Sequence, residues 1–268
     1  MSFEEEGYFS PDIKNTTDEA IRNYGDFIDL YFQANRNLLL IRYSTEVDSE
    51  DAKQLIVTAL SIKANDSIQA AVNLLLLGLE SDAKALIRVA LEAIIILKTV
   101  CVDDQYIEKF LSTEKAVILK FMNAIAGDQN KEYPDVVKKS VDPEQLSKLY
   151  DEVKSNNIQE VNVLEYAQKS KLTYLYDYIY RIHSNDIHTN PKTVMKYLKV
   201  QDNDINGIDP CPRIDELPRS MVAIFCLLRE MTECICDLFS IDKTSSIALF
   251  DKIHNFITMY TDRHGRNY

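Results

Sequence analysis

No proline occurs between Pro11 and Pro134, and that interval holds only three glycines, Gly25, Gly78 and Gly127. Sandwiches and barrels need turn residues at intervals of about 8–12 positions, so this stretch is incompatible with most β architectures. It predicts long helices instead. The 268-residue chain holds 6 glycines and 7 prolines in all, and its 46% hydrophobic content is enough for one large core. The expected fold class is all-α, a single multi-helix bundle with a central antiparallel helical hairpin. It spans residues 16–268, after a flexible acidic N-terminus at 1–15.

Apolar spacing supplies the helices. Thr16 and Glu19 have the form of a capping box, and Ile21, Tyr24, Ile28, Tyr31 and Phe32 follow at three- and four-residue steps. A helix is therefore expected from 16 to about 44. Two more, at about 49–77 and 81–102, meet at Gly78 and form the hairpin. Further helices are expected at about 104–126, 143–156, 162–188, 191–199, 218–239 and 243–261. Asp142-Pro143 and Asn190-Pro191 each read as an N-cap followed by proline at the first helical position. Residues 201–217 read as a loop.

The most apolar stretch, 83–100, carries Lys84, Arg88, Glu92 and Lys98. Four charges in that length indicate a buried helix rather than a membrane span. The N-terminus lacks the basic-then-apolar layout of a signal peptide, and the five cysteines include no Cys-x2-Cys pair. The expectation is a cytoplasmic protein with no membrane association.

Several catalytic motifs fail on inspection. Asp202, Asp204, Asn206 and Gly207 copy the opening of an EF-hand loop, but the twelfth position is Arg213, which would repel calcium. No pair of Glu-x-x-His motifs exists for a di-iron bundle, and no phosphate-binding glycine loop is present. No metal and no cofactor is expected.

Charge and aromatic content single out residues 165–200. The chain carries a net charge of −12, yet this window has six Lys or Arg against three acids, and six of the 15 tyrosines. At 100° per residue, Tyr174, Asp177, Arg181, Ser184 and His188 share one stripe, while Leu172, Leu175, Ile179 and Ile182 share an apolar one. Basic charge interleaved with aromatics suits RNA as a partner. The same residues also fit a purely structural reading, with Asp177 and Arg181 as an i,i+4 ion pair and the tyrosines as packing.

Arg88 and Glu92 stand one turn apart amid apolar neighbours in the third helix. They form either a structural salt bridge or a group orienting Arg181 or His188. If the pair is buried, Arg88→Ala costs about 2–4 kcal/mol, because Glu92 is left charged without a partner.

Two segments together carry a family resemblance. One is residues 78–97, a break at glycine followed by Arg88 and Glu92. The other is Tyr180, Ser184 and His188 at four-residue steps, with Asn190-Pro191 after them. In these the chain resembles a bacterial helical family catalogued as domain of unknown function 5677, over about residues 50–195. It is also similar, more distantly, to HEPN-type helical bundles. Many of these are metal-independent ribonucleases with Arg-x4-6-His on a late helix, and Arg181 and His188 match that spacing. The residue after the arginine is usually polar in that class; here it is Ile182.

The HEPN likeness implies a metal-independent endoribonuclease of a defence or toxin type, working as a homodimer. Arg181 and His188 would be catalytic. Arg88, Glu92, Tyr180, Ser184, Asp177 and Asn190 are the supporting or substrate-binding candidates. The alternative is a non-catalytic bundle that binds a protein or nucleotide partner.

Overall fold

A computed structural model describes residues 2–128, 132–181, 191–201 and 204–265. Of the described residues 76% are helical, with a single two-stranded sheet among them, so the all-α expectation holds. Its helices are α1 (Phe3–Glu6), α2 (Ile13–Tyr43), α3 (Ala52–Leu76), α4 (Glu80–Val102), α5 (Gln105–Ala126), α6 (Asp135–Lys139) and α7 (Pro143–Ser155). Then come α8 (Val163–Lys169), α9 (Thr173–Leu175), a π-helical turn at Tyr176–Arg181, and α10 (Pro191–Met195). Strands β1 (Leu198–Gln201) and β2 (Asp204–Ile208) precede α11 (Leu217–Leu238) and α12 (Thr244–His264).

The core is built around α4. Ile87, Ala90, Leu91, Ala93, Ile94, Ile95, Leu97 and Val100 are all buried, so this helix is covered on most of its circumference. A helix apolar all round belongs in an interior. It packs on α3, α11, α8, α5 and the π turn. The cations that α4 carries are each paired. Lys84, with a side chain only 4% exposed, lies 3.4 Å from Glu216; Arg88 meets Glu92; Lys98 meets Glu230 on α11. Among the described residues no helix is long and apolar enough to cross a membrane.

Helix boundaries differ from expectation where a cap was misplaced. α2 begins at Ile13, three residues before the apparent capping box. Thr17 lies inside it, its hydroxyl donating to the Leu76 carbonyl at 3.2 Å. Non-helical dihedrals at Tyr24, beside Gly25, kink α2. Residues Phe3–Glu6 and Gly7–Phe9 form a helical and a 3₁₀ turn. Asp142 does cap α7, accepting from the Glu144 amide at 3.0 Å, with Pro143 at the first helical position.

The segment read as the end of a helix and a loop contains an antiparallel hairpin. β1 pairs with β2 from Leu198↔Ile208 to Gln201↔Asp204, with an irregularity between Lys199 and Val200. The EF-hand-like Asp204, Asn206 and Gly207 are therefore strand residues. Backbone hydrogen bonds to a neighbouring strand satisfy this segment, a pairing that helical periodicity does not report.

After the hairpin, the chain docks on the start of α4. The Arg213 amide donates to the Gly78 carbonyl at 3.1 Å, and the Glu216 amide donates to Glu80 Oε1 at 2.6 Å. Burial pushes the Glu80 carboxyl up to about 7, with Glu216 and Asp215 adding repulsion, while the Glu216 amide and Lys84 oppose it. A carboxyl whose folded value lies above its unfolded one binds more protons in the native state. Stability from this group therefore falls as pH rises from about 4.5 to about 7. Glu80→Gln keeps an oxygen acceptor for the Glu216 amide and removes the ionisation. Its melting temperature should exceed that of the wild type at pH 8, with the gap closing towards pH 5. A mutant less stable at pH 8 would show that the carboxylate is needed as an anion.

Candidate functional site

The helix expected over 162–188 is interrupted at Ser170–Leu172. The Ser170 hydroxyl bonds back to the Tyr166 carbonyl at 2.9 Å, and Lys171 takes a left-handed conformation with φ of 60°. The Leu172 amide then closes on the Ala167 carbonyl at 2.8 Å, the wide bond of a Schellman-type ending. Glycine usually marks that position. Lysine occupies it here, so the sequence carries no visible stop signal.

Beyond the break, the chain re-enters as α9 and the π turn. Leu172, Leu175 and Ile179 are all buried, as the apolar stripe requires; Ile182 lies outside the described residues. The π turn widens the repeat to i→i+5, so the polar stripe drawn at 100° per residue does not persist through it. Tyr174 and Tyr180 reach different helices. The Tyr174 hydroxyl donates to Glu230 Oε1 at 2.8 Å, on α11, whereas Tyr180 turns towards α4.

Tyr180 is the point where the two resemblance segments meet. The Arg88 guanidinium lies 3.7 Å from the Tyr180 ring centroid. Tyr176 stacks on the same ring at 4.6 Å with an interplanar angle of 15°. One face cannot hold both neighbours, so guanidinium and tyrosine sandwich Tyr180. Arg88 Nε is also 3.4 Å from Glu92 Oε1. The result is a row of four groups, Glu92, Arg88, Tyr180 and Tyr176, linking α4 to the π turn.

This geometry corrects the burial expected of the ion pair. The side chains of Arg88 and Glu92 are 17% and 37% exposed, so Glu92 keeps water contact when its partner is removed. Arg88→Ala then loses a cation–π contact and a partly screened ion pair, about 1–2 kcal/mol in sum rather than 2–4. Chemical denaturation of the mutant tests this. A loss well above about 2 kcal/mol would restore the buried-charge explanation.

A second row lies alongside. Glu230 accepts from Tyr174 and pairs with Lys98 of α4, and its side chain is only 13% exposed. Burial and then the Glu230 carboxylate push the Tyr174 phenol well above its usual range. Thr99 adds a further tie, its hydroxyl donating to the Tyr166 carbonyl at 2.9 Å. Tyr166 is fully buried, edge-on to Tyr106, and burial pushes its phenol up to about 12.

Of the residues singled out from sequence, Arg88, Glu92 and Tyr180 are brought together. Asp177 is exposed on the π turn, and Arg181 is the last residue of that turn. Ser184, His188 and Asn190 lie outside the described residues. The basic surplus of the window is partly neutralised, since Lys169 pairs with Asp103 at 2.5 Å. Tyr176 was missed, although its four-residue spacing to Tyr180 is visible in the sequence. Glu230 was missed because nothing local connects α11 to Tyr174.

Comparison with known proteins gives one match. The model of a family of unknown function, DUF5677, matches residues 54–206. The matched region runs from α3 to β2 and includes Arg88, Glu92, Tyr180 and the π turn. No curated protein and no solved structure matches the chain.

Proposed function

Because the chain belongs to the family DUF5677, whose description assigns no activity, we propose from the geometry that it is a metal-independent endoribonuclease. The observation that carries this reading is the Arg88–Tyr180–Tyr176 sandwich, which anchors the π turn ending at Arg181. π turns are rare and frequently occur at functional sites. Here a packed cation and two rings hold the turn at the base of the segment that leads to His188.

In this reading the RNA 2′-hydroxyl attacks the adjacent phosphorus. His188 transfers the proton as general acid or base, and Arg181 stabilises charge on the phosphoryl oxygens. Arg88 and Glu92 position the turn through Tyr180. Asp177, Ser184 and Asn190 contact substrate, and RNA follows the basic residues of 165–200. A homodimer in the cytoplasm, with two such motifs lining one cleft, completes the proposal. The test is incubation of the full chain with mixed RNA in EDTA, where cleavage is expected and intact RNA would refute it.

One observation favours a second reading, a non-catalytic bundle that binds a protein or nucleotide partner. Both faces of Tyr180 are covered from within the chain, so this ring offers no free platform to a base. Saturable binding of a partner without any cleavage would select this alternative.

A further inference from the structure

We propose that the cleft between α5 and the end of α7 binds a neutral saccharide, independently of any ribonuclease activity. Its volume is about 530 Å³, within the roughly 300–1,000 Å³ of small-molecule sites. α5 supplies one wall through Gln105, Glu108, Ser112 and Lys115, which recur at three- and four-residue steps and so share a face. The end of α7 supplies the other. Asn157 takes a left-handed conformation with φ of 48°, and the Ile158 amide closes on the Val153 carbonyl at 2.9 Å, ending the helix. That turn carries Asn156, Asn157 and Gln159 to the cleft. Two ion pairs join the walls, Lys115–Glu152 at 2.6 Å and Lys120–Glu160 at 2.9 Å.

Charge decides the ligand class by exclusion. Both lysines of the lining already meet carboxylates, Lys115 at Glu152 and Lys109 at Glu165, the latter at 2.5 Å. An anion therefore finds no unpaired cation among the described lining residues. Glu108 keeps a carboxylate without a hydrogen bond or ion pair among the described residues. One carboxylate is too few for a divalent cation, and the described residues hold no group of three potential metal ligands. An apolar ligand would meet Ile158 and otherwise polar side chains.

What remains suits hydroxyl groups. A hydroxyl both donates and accepts, and side-chain amides beside a carboxylate answer both needs. The Asn156 amide donates to the Glu152 carbonyl at 2.9 Å, and the Gln159 amide donates to Asn157 Oδ1 at 3.4 Å. These bonds orient two amides and leave their oxygens open to accept. Across the cleft, the Gln105 side chain is unengaged among the described residues. A sugar ring, with hydroxyls at its rim and C–H faces, matches such a lining with Ile158 in it.

The experiment titrates the isotope-labelled full chain with maltose, read by amide chemical shifts and calorimetry. Saturable binding is expected, with shifts confined to 105–115 and 152–159. Glu108→Ala should weaken it about tenfold and Gln105→Ala about threefold, the losses of a charge-assisted and a neutral hydrogen bond. Both side chains are exposed, so melting temperature should stay within about 2 °C of the wild type. Lys148→Ala, which removes the exposed Lys148–Glu144 pair of α7, should leave binding unchanged. Inorganic phosphate and spermidine serve as charged competitors and should not displace maltose. No saturable binding, shifts elsewhere, displacement by either competitor, or affinity unchanged in both cleft variants would each overturn the proposal.

Discussion

Gly78→Ala is expected to destabilise the protein by about 3 kcal/mol, lowering the melting temperature by roughly 6–12 °C for a chain of this size. Two effects combine. Gly78 has φ of +76°, a conformation that costs a residue with a Cβ about 1–2 kcal/mol. A Cβ there would also lie 2.5 Å from the Pro212 Cβ and 2.7 Å from the Arg213 amide nitrogen. Both neighbours belong to the segment that docks on α4, so relief requires the backbone to move, typically about 1–3 kcal/mol more. Because Arg213 also bonds the Gly78 carbonyl, the damage should spread to the start of α11. Thermal unfolding measures it. A shift under about 2 °C would mean that the docked segment yields freely.

His188→Ala is expected to reduce RNA cleavage by about two to four orders of magnitude, the usual contribution of a proton-transfer group. Melting temperature should stay within a few degrees, because the role assigned to His188 is chemical rather than structural. Arg181→Lys should also be impaired, since an ammonium cannot reproduce the planar fork of guanidinium on a phosphate. Lost stability in His188→Ala, with no cleavage to lose, would instead assign the stripe to packing.

The parts of the fold that were legible in the sequence are those governed by local chemistry. The scarcity of breakers announced long helices, and Gly78 marked the end of α3. Apolar residues around a full turn identified α4 as buried, despite the four charges in its stretch 83–100. Asp142-Pro143 announced α7. What failed was governed by pairing or by an unusual residue at a standard position. Lys171 takes the left-handed place that glycine usually holds, so one expected helix became α8, α9 and the π turn. The β1–β2 hairpin depends on two segments meeting, and its strands are only four and five residues long.

The candidate site divides in the same way. Arg88 and Glu92 announced themselves as an i,i+4 pair, and Tyr180 through the resemblance that sets it four residues before Ser184 and eight before His188. The contact between Arg88 and Tyr180 was not legible, because it depends on how the π turn rotates the tyrosine towards α4. Nor was the exposure of Glu92, which sets the cost of losing its partner.

The most direct test of the central claim compares wild-type protein with His188→Ala on RNA in EDTA, and analyses the ends of the fragments. The account predicts cleavage by the wild type alone, leaving 2′,3′-cyclic phosphate and 5′-hydroxyl ends, as attack by the 2′-hydroxyl requires. Intact RNA with the wild type, or equal cleavage by both proteins, would contradict it.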